Sequence, residues 1–307
     1  MRRVTPTVEG AFFAALTVIL YLGSIYIPVF GLVLSFLCPL PLMFLVIRWN
    51  LKAGFLAAAV ATLIILAFAG LYQAIICFVG FSFLGIFMGV LVKRGYGWVE
   101  IIGLGALVSL LSKLALVGLT LLLMGKNPII ESLNLMEQAF NQAYTMLGSL
   151  GEGLGENNVE TLMQIVRMTI PAILILAALF DTFLNFILGS WVGKRVGIKF
   201  PSFPPFSEWR LPPSMVWMYF LSWLLLFLGK NSFIYQIGLN LQVVTQILFM
   251  VQGVAILSFF LKKIVTQRVI RAIIIIFVVM QPVFSTVLAS LRVFDTWFDF
   301  RKLLKKK

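Results

Sequence analysis

The sequence predicts an all-α fold, a polytopic bundle of transmembrane helices with eight to nine membrane segments. Composition is the first reason: 61% of the 307 residues are hydrophobic and only 11% are charged, whereas about 25% of a soluble domain is charged. The second is a series of apolar segments close to the ~20 residues that a helix needs to cross ~30 Å of hydrocarbon. The third is the concentration of basic residues in alternate loops. A soluble, disordered or disulfide-stapled protein is therefore excluded.

The apolar segments divide the chain into two parts. They cover residues 8–29, 31–47, 53–71, 73–92, 99–124, 168–192, 213–229, 241–261 and 270–294. The first six lie in residues 1–195, which we expect to form a six-helix transmembrane bundle. A proline-rich stretch at 196–212 is predicted to be a cytoplasmic linker, because prolines stiffen and extend a chain. Residues 213–307 form the predicted C-terminal transmembrane unit, with a basic tail.

The loop charges orient the chain. One set of loops carries 14 basic residues and the opposite set only three. Because basic loops stay in the cytoplasm, we place the richer set and the N-terminus there, in a multi-pass protein of the cell (plasma) membrane. The C-terminus has two open solutions. In the first, the six basic residues in 292–307 keep the tail in the cytoplasm, because a break at Gln281-Pro282 prevents the last segment from crossing as a single helix. In the second, all nine segments cross the membrane and the tail lies outside.

One long loop, residues 125–167, lies on the opposite, outer side. Asn127-Pro128 is a favourable helix start, with asparagine as N-cap and proline in the first helical position. Apolar residues then recur at helical spacing from Ile129 to Tyr144, so we predict an amphipathic helix from about 128 to 148. This helix either rests on the membrane surface or forms a lid over a pocket.

Two opposite charges fall near the middle of predicted spans, Lys113 in the fifth segment and Asp181 in the sixth. An ionised side chain at that depth costs about 2.5–3.5 kcal/mol on insertion scales, so we predict a buried ion pair. Ser109 and Asn185 belong to the same polar faces. The four residues either form a structural bridge or line a pocket for a polar ligand or ion.

Two prolines, Pro39 and Pro41, interrupt the second segment. Proline removes a backbone donor, and such breaks in a membrane are tolerated where they line a cavity or pack on protein. Transporter binding sites are often built on interrupted helices, so both prolines join the candidate ligand-binding residues. Cys38 and Cys77 lie in apolar segments and are predicted to be reduced packing residues.

Small residues mark faces where helices approach closely, because helices in lipid associate through packing. Ala11 and Ala15 are four residues apart in the first segment, and Gly85 and Gly89 form a GxxxG in the fourth. Each pair either packs within the chain or docks a partner membrane protein.

What the sequence lacks argues against several functions. It contains no histidine, which removes histidine-based metal sites, catalytic triads and proton relays. No glycine-rich Walker motif is present to bind ATP. We therefore expect a protein that is not an enzyme, with no catalytic residues, no metal and no cofactor. The net charge of +13 would favour nucleic acid in a soluble protein, but the positive-inside rule explains it here, so no nucleic-acid partner is expected.

Three stretches resemble the YybS-like family of uncharacterised bacterial integral membrane proteins. They are PLPLMFLVIRWNLKAGFLAA, which begins at Pro39, GFSFLGIFMGVLVKRG at 80–95 and VFDTWFDFRK at 293–302. The last is the most specific, and its motif residues are Asp295, Trp297, Asp299 and Arg301.

The N-terminal half is also similar to the S components of energy-coupling-factor (ECF) vitamin transporters. The similarity lies in the alanines of the first helix, the Pro-Leu-Pro run and the glycines of the fourth helix. It implies a six-helix bundle that binds a solute and docks its first helix on a transmembrane coupling subunit.

These expectations favour a solute-binding or transport-related membrane subunit, whose ligand would enter from outside between the fifth and sixth spans, beneath the 128–148 helix. Its expected partners are the lipid bilayer, an unidentified small-molecule ligand, and a transmembrane coupling subunit or further copies of the chain. The alternative is a structural or assembly protein of the cell envelope or division machinery, with no solute.

Overall fold

The computed structural model describes residues 5–147, 156–228 and 233–281, with single positions at 284, 287, 288, 290, 291 and 295. Every regular element in these residues is a helix, so the predicted all-α fold is confirmed. The α-helices are α1 Pro6–Tyr26, α2 Gly31–Leu37, α3 Leu40–Arg48, α4 Leu51–Ile75, α5 Phe83–Lys93, α6 Trp98–Met124, α7 Pro128–Leu147, α8 Glu156–Arg195, α9 Met215–Phe227, α10 Phe233–Ile264 and α11 Arg268–Met280. A π-helix, Ile76–Ser82, joins α4 to α5, and a 3-10 turn, Phe206–Glu208, precedes α9.

Six of the described helical stretches are long and apolar enough to cross a membrane. They are Pro6–Tyr26, Gly31–Arg48, Leu51–Lys93, Trp98–Met124, Val159–Arg195 and Phe233–Ile264. The apolar helix α9 has 13 residues, which at ~1.5 Å per residue falls short of a ~30 Å hydrocarbon layer. The described residues therefore support a multi-pass bundle, and the number of eight to nine segments stays a prediction.

The 43-residue stretch Leu51–Lys93 is divided by a break at Gly70. This residue has φ 85° and ψ 172°, a backbone conformation that glycine adopts readily and other residues avoid. The boundary predicted at residue 72, between segments 53–71 and 73–92, is therefore found two residues earlier, at Gly70. In the π-helix that follows, Ser82 Oγ donates to the carbonyl oxygen of Cys77 over 3.0 Å. Cys38 and Cys77 are both buried and free.

The loop 125–167 contains the predicted helix, α7. The Asn127 side chain accepts a hydrogen bond from the backbone N–H of Ile129 over 3.0 Å, as expected of an N-cap. Helix α8 is longer than the predicted segment 168–192. Its 40 residues span about 60 Å, so it exceeds the thickness of the hydrocarbon layer.

The chain forms two compact units. One comprises residues 1–163 and 174–202, and the other comprises residues 164–173 and 203–307. The division at 202/203 falls inside the stretch 196–212 that we predicted to be a linker.

The second part of that stretch is attached to α10 rather than free. Lys262 Nζ donates to Ser207 Oγ over 2.7 Å, and the backbone N–H of Leu211 donates to Gln252 Oε1 over 2.8 Å. Residues 203–212 are therefore part of the second unit.

In the first unit, α3 and α5 approach so closely that only glycine fits at two positions. A Cβ atom added at Gly85 would lie 2.2 Å from the carbonyl oxygen of Pro39, and one added at Gly89 would lie 2.7 Å from that of Met43. Both glycines are buried. Their position favours packing within the chain, rather than docking of a partner, as the role of this pair.

We expect Gly85→Ala to destabilise the protein and Gly103→Ala to leave it unchanged or more stable. The methyl group added at Gly85 meets the backbone of α3, and overpacking of this kind costs about 1–3 kcal/mol. Gly103 lies in α6 with no atom within 4 Å of the added Cβ, and alanine is the better helix former. Thermal unfolding of both variants in one detergent measures the difference. Equal melting temperatures would contradict the close contact of α3 and α5.

Both ends of α1 are held by residues later in the chain. Near its start, Glu9 binds the Arg48 guanidinium, with 2.5 Å between Oε1 and Nη1, and accepts a hydrogen bond from Trp49 Nε1. Near its end, the Tyr21 hydroxyl donates to Gln73, with the main-chain oxygen at 2.9 Å and Oε1 at 2.8 Å.

In the second unit, α8 continues through Pro171, although proline lacks the N–H that a helix needs. Asn240 of α10 bridges the disturbed turn. Its Oδ1 accepts from the backbone N–H of Ala172 over 2.8 Å, and its Nδ2 donates to the carbonyl oxygen of Met168 over 2.8 Å. Asn240 therefore bonds both the N–H and the carbonyl group that face each other across one helical turn.

Helix α11 ends next to Gln281-Pro282, the position of the break in one of the two solutions for the C-terminus. This helix stops at Met280, and Gln281 is extended, with φ −93° and ψ 116°, as residues before proline prefer. The side of the membrane on which the chain ends stays a prediction. Of the C-terminal motif, Asp295 is buried, with 6% exposure, whereas Trp297, Asp299 and Arg301 lie outside the described residues.

Candidate functional site

A polar cluster joins α6 and α8 within the first unit. The ammonium group of Lys113 forms an ion pair with the carboxylate of Asp181, so the predicted pairing is confirmed. Each side chain is 26% exposed. The two charges neutralise each other between helices that are otherwise largely apolar.

Ser109 and Asn185 complete this cluster. Lys113 Nζ donates to Ser109 Oγ over 2.9 Å, and Ser109 Oγ donates to Asp181 Oδ2 over 3.4 Å. Asn185 lies one turn after Asp181, and its Nδ2 donates to the main-chain oxygen of Asp181 over 2.9 Å. All four residues predicted from the polar faces therefore lie together.

The side-chain oxygen of Asn185 has unused hydrogen-bonding capacity. Asn185 is 2% exposed, and within the described part of the chain its Oδ1 has no hydrogen-bond partner. Leaving a buried acceptor unpaired costs about 1–3 kcal/mol, and such groups commonly mark a functional position or a bound water or ion. This oxygen can accept an N–H or O–H donor, or bind a cation as carbonyl oxygens do.

Helices α6 and α8 approach closely beside the cluster because Gly105 has no side chain. A Cβ atom added at Gly105 would lie 2.5 Å from Cγ2 of Thr182, which is fully buried. The contact is one turn before Ser109 and next to Asp181, so it sets the helix spacing at the ion pair. Among the described residues, no three acidic or cysteine side chains are grouped to hold a metal ion.

The two predicted prolines have different surroundings. Pro39 places its carbonyl oxygen against Gly85, as described above, whereas Pro41 lines an apolar cleft of about 450 Å³. The walls of this cleft come from α1, from the α2–α3 segment, and from the end of α8 with the residues just after it. The cleft is therefore not at the predicted access route between the fifth and sixth segments, and Pro39 does not line it.

Ala11 and Ala15 lie on a face of α1 that the first unit leaves uncovered. Both are exposed, and so are Phe12 and Ile19, at 62% and 66%. Docking of a partner through this pair stays a prediction.

The ion pair of Glu9 and Arg48 is a feature that the sequence analysis missed. It lies at the same end of the unit as Lys93, which donates to the main-chain oxygen of Trp49. A signal was available, because Glu9 is the only acidic residue before Glu100 and an acid in the first turn of an apolar span needs a partner.

Comparison with known proteins gives a consistent result over the whole chain. A family model described as "Predicted membrane protein (DUF2232)" matches residues 15–296. The chain is 27% identical over 311 residues to the uncharacterized protein YybS of Bacillus subtilis (strain 168), covering 99% of this chain and 100% of that one. No solved structure matches the chain significantly. These findings agree with the three YybS-like stretches found in the sequence.

Proposed function

The chain belongs to the DUF2232 family of predicted membrane proteins, and we propose that it is a solute-binding or transport-related subunit of the cell membrane. The observation that carries this proposal is the polar cluster of Lys113, Asp181, Ser109 and Asn185. The proposed role is binding rather than catalysis, because the sequence offers no histidine and no nucleotide-binding motif.

A purely structural role does not require this cluster. Replacing a buried ion pair with apolar residues of similar volume is often neutral or stabilising, so leucines could hold α6 and α8 together. Polar residues inside membranes more commonly serve ligands, ions or proton pathways. The unpaired Oδ1 of Asn185 adds a position that a bound ligand would complete.

The chemistry of the cluster suggests the class of ligand. The ion pair is neutral overall, so a large net charge on the ligand is disfavoured. Asn185 Oδ1 requires a donor or a cation. A small polar solute with an N–H or O–H group, or a monovalent cation bound beside the Asp181 carboxylate, fits these requirements.

The proposal extends to a partner on the resemblance to ECF S components, which rests on the sequence motifs alone. The uncovered face of α1 with Ala11 and Ala15 would dock on a transmembrane coupling subunit or on a second copy of the chain. The N-terminus would lie in the cytoplasm, which a reporter fused there would test.

The second candidate function is a structural or assembly role in the cell envelope without a solute. The same uncovered face of α1 favours it, because exposed apolar side chains with small residues between them can bind another membrane protein. This candidate requires a protein partner and no small molecule, whereas the proposed function requires a small molecule.

Mass spectrometry of the full-length protein purified in detergent distinguishes the two functions. We expect a small polar molecule or a cation to co-purify, and Asn185→Leu to abolish its retention while preserving the ion pair. Asn134→Leu, at an exposed position of α7, is the matched control and should retain the ligand. A protein partner with no small molecule would support the structural role, and equal retention in both variants would remove Asn185 from the site.

A further inference from the structure

We infer that the apolar cleft of the first unit holds an acyl chain of an anionic phospholipid, with Arg48 binding the phosphate head group. This lipid site is separate from the polar cluster and does not depend on the proposed solute.

The shape of the cleft suits an extended apolar chain. Along α1 its wall runs from Phe12 through Leu16 to Leu20, and the eight residue steps between the ends extend about 12 Å. The opposite wall contains Pro41 and Phe44 of α3, both buried. A volume of about 450 Å³ lies in the range of ligand-binding cavities, roughly 300–1,000 Å³.

The surroundings of the cleft favour a lipid over a soluble ligand. Phe12 of α1 and Val196, just after α8, line the cleft and are 62% and 55% exposed, so its outer edge lies at the surface of the unit. Because α1 is a membrane-spanning candidate, the molecules that reach this surface are those of the bilayer. The long apolar walls select the hydrocarbon part of such a molecule.

The charged residue that lines the cleft is Arg48, at one end. The Arg48 side chain is 51% exposed, and Glu9 binds it through Nη1. A guanidinium group has five donors in a planar fork that suits phosphate oxygens. Among the described residues Glu9 contacts the guanidinium through Nη1, which leaves the other donors of the fork for phosphate oxygens. Because the charge of Glu9 offsets that of Arg48, the excess positive charge at this end comes from nearby lysines.

The residues near Arg48 strengthen the attraction for an anion. Lys52 follows it by four residues, and Lys93 binds the main-chain oxygen of Trp49. Basic groups at a membrane surface attract anionic lipids. Apolar walls and a cationic end therefore match a phospholipid that carries a net negative charge better than a zwitterionic one.

Native mass spectrometry of the delipidated full-length protein, incubated with phosphatidylglycerol or phosphatidylcholine, tests this inference. We expect one tightly retained phosphatidylglycerol, and its loss in Leu16→Trp, which fills the cleft. Ile19→Trp, on the uncovered face of α1, is the matched control and should retain the lipid. Leu20→Phe is a smaller filling change that tests the same point if Leu16→Trp does not fold. Equal retention in the filled and control variants would overturn the site, because the lipid would then bind elsewhere.

A second pair of variants tests the head group. Arg48→Gln should lower the preference for phosphatidylglycerol over phosphatidylcholine about fivefold, the effect of one basic residue at a membrane surface. Glu9→Gln also breaks the ion pair but keeps the guanidinium and removes a negative charge, so it should preserve or increase the preference. A loss in both variants, or in neither, would show that Arg48 does not bind the phosphate. Retention of an uncharged lipid in place of phosphatidylglycerol would contradict the inference as a whole.

Discussion

Lys113→Ala and Asp181→Ala are each expected to lower the free energy of unfolding by about 3–5 kcal/mol. Each change leaves the partner as an uncompensated charge between α6 and α8, where the paired side chains are 26% exposed. Ser109, which hydrogen-bonds to both groups, cannot replace either charge. Both single substitutions should therefore reduce the amount of folded protein in the membrane.

The double variant Lys113→Leu with Asp181→Leu separates the structural contribution of the pair from its function. Because it removes both charges, much of the lost stability should return. Lys126→Ala is the control, since Lys126 and Glu131 lie 3.3 Å apart but are 70% and 52% exposed, and such pairs contribute no more than about 1 kcal/mol. Thermal unfolding in detergent measures all four proteins. A double variant that is less stable than either single variant would show that the two charges are not energetically coupled.

The double variant also bears on the proposed function. A variant that is stable but no longer retains the co-purified solute would support a ligand-binding role for the pair. A variant that is stable and still retains the solute would place the solute elsewhere.

Asn240→Leu is expected to have the next largest effect. It leaves the N–H of Ala172, a buried residue, and the carbonyl oxygen of Met168 without their side-chain partner, and an unsatisfied buried group costs about 1–3 kcal/mol. Pro171 keeps the helix from closing the gap, because its ring clashes with the preceding turn. Gln242→Leu removes a similar amide two residues further along α10, on the opposite side of the helix from Asn240, and should change stability much less.

Hydrogen exchange at the Ala172 amide gives a local measurement for the same variant. Exchange should be faster in Asn240→Leu than in the wild type and unchanged in Gln242→Leu. Asn240→Asp can still accept the hydrogen bond from Ala172 but cannot donate to Met168, so it should lie between the two. Identical exchange in all of these proteins would mean that Asn240 does not support the turn at Pro171.

The features predicted successfully from sequence are those that local rules determine. The pairing of Lys113 with Asp181 was predicted because helix rise gave both residues a similar expected depth and a charge in hydrocarbon needs a partner. The start of α7 follows from Asn127, because an N-cap acts on the next few residues only.

The features that were missed depend on residues far apart in the chain. Nothing near residue 240 indicates that its amide reaches the turn at Pro171. The apolar cleft combines three separate segments, so a single proline pattern could suggest a cavity but not its location. The length of α8 was underestimated, because hydropathy reports where a helix is apolar and not where it ends.

The two attachments of α1 have a consequence for how the protein is made. Gln73 follows Tyr21 by 52 residues, and ribosomes add about 5–20 residues per second, so about 3–10 s separate the synthesis of the two. During that interval α1 is already available for insertion while the residues that hold it have yet to be translated. The packing of α1 into the bundle is therefore a late event of biogenesis, and it is completed only when α4 has left the ribosome.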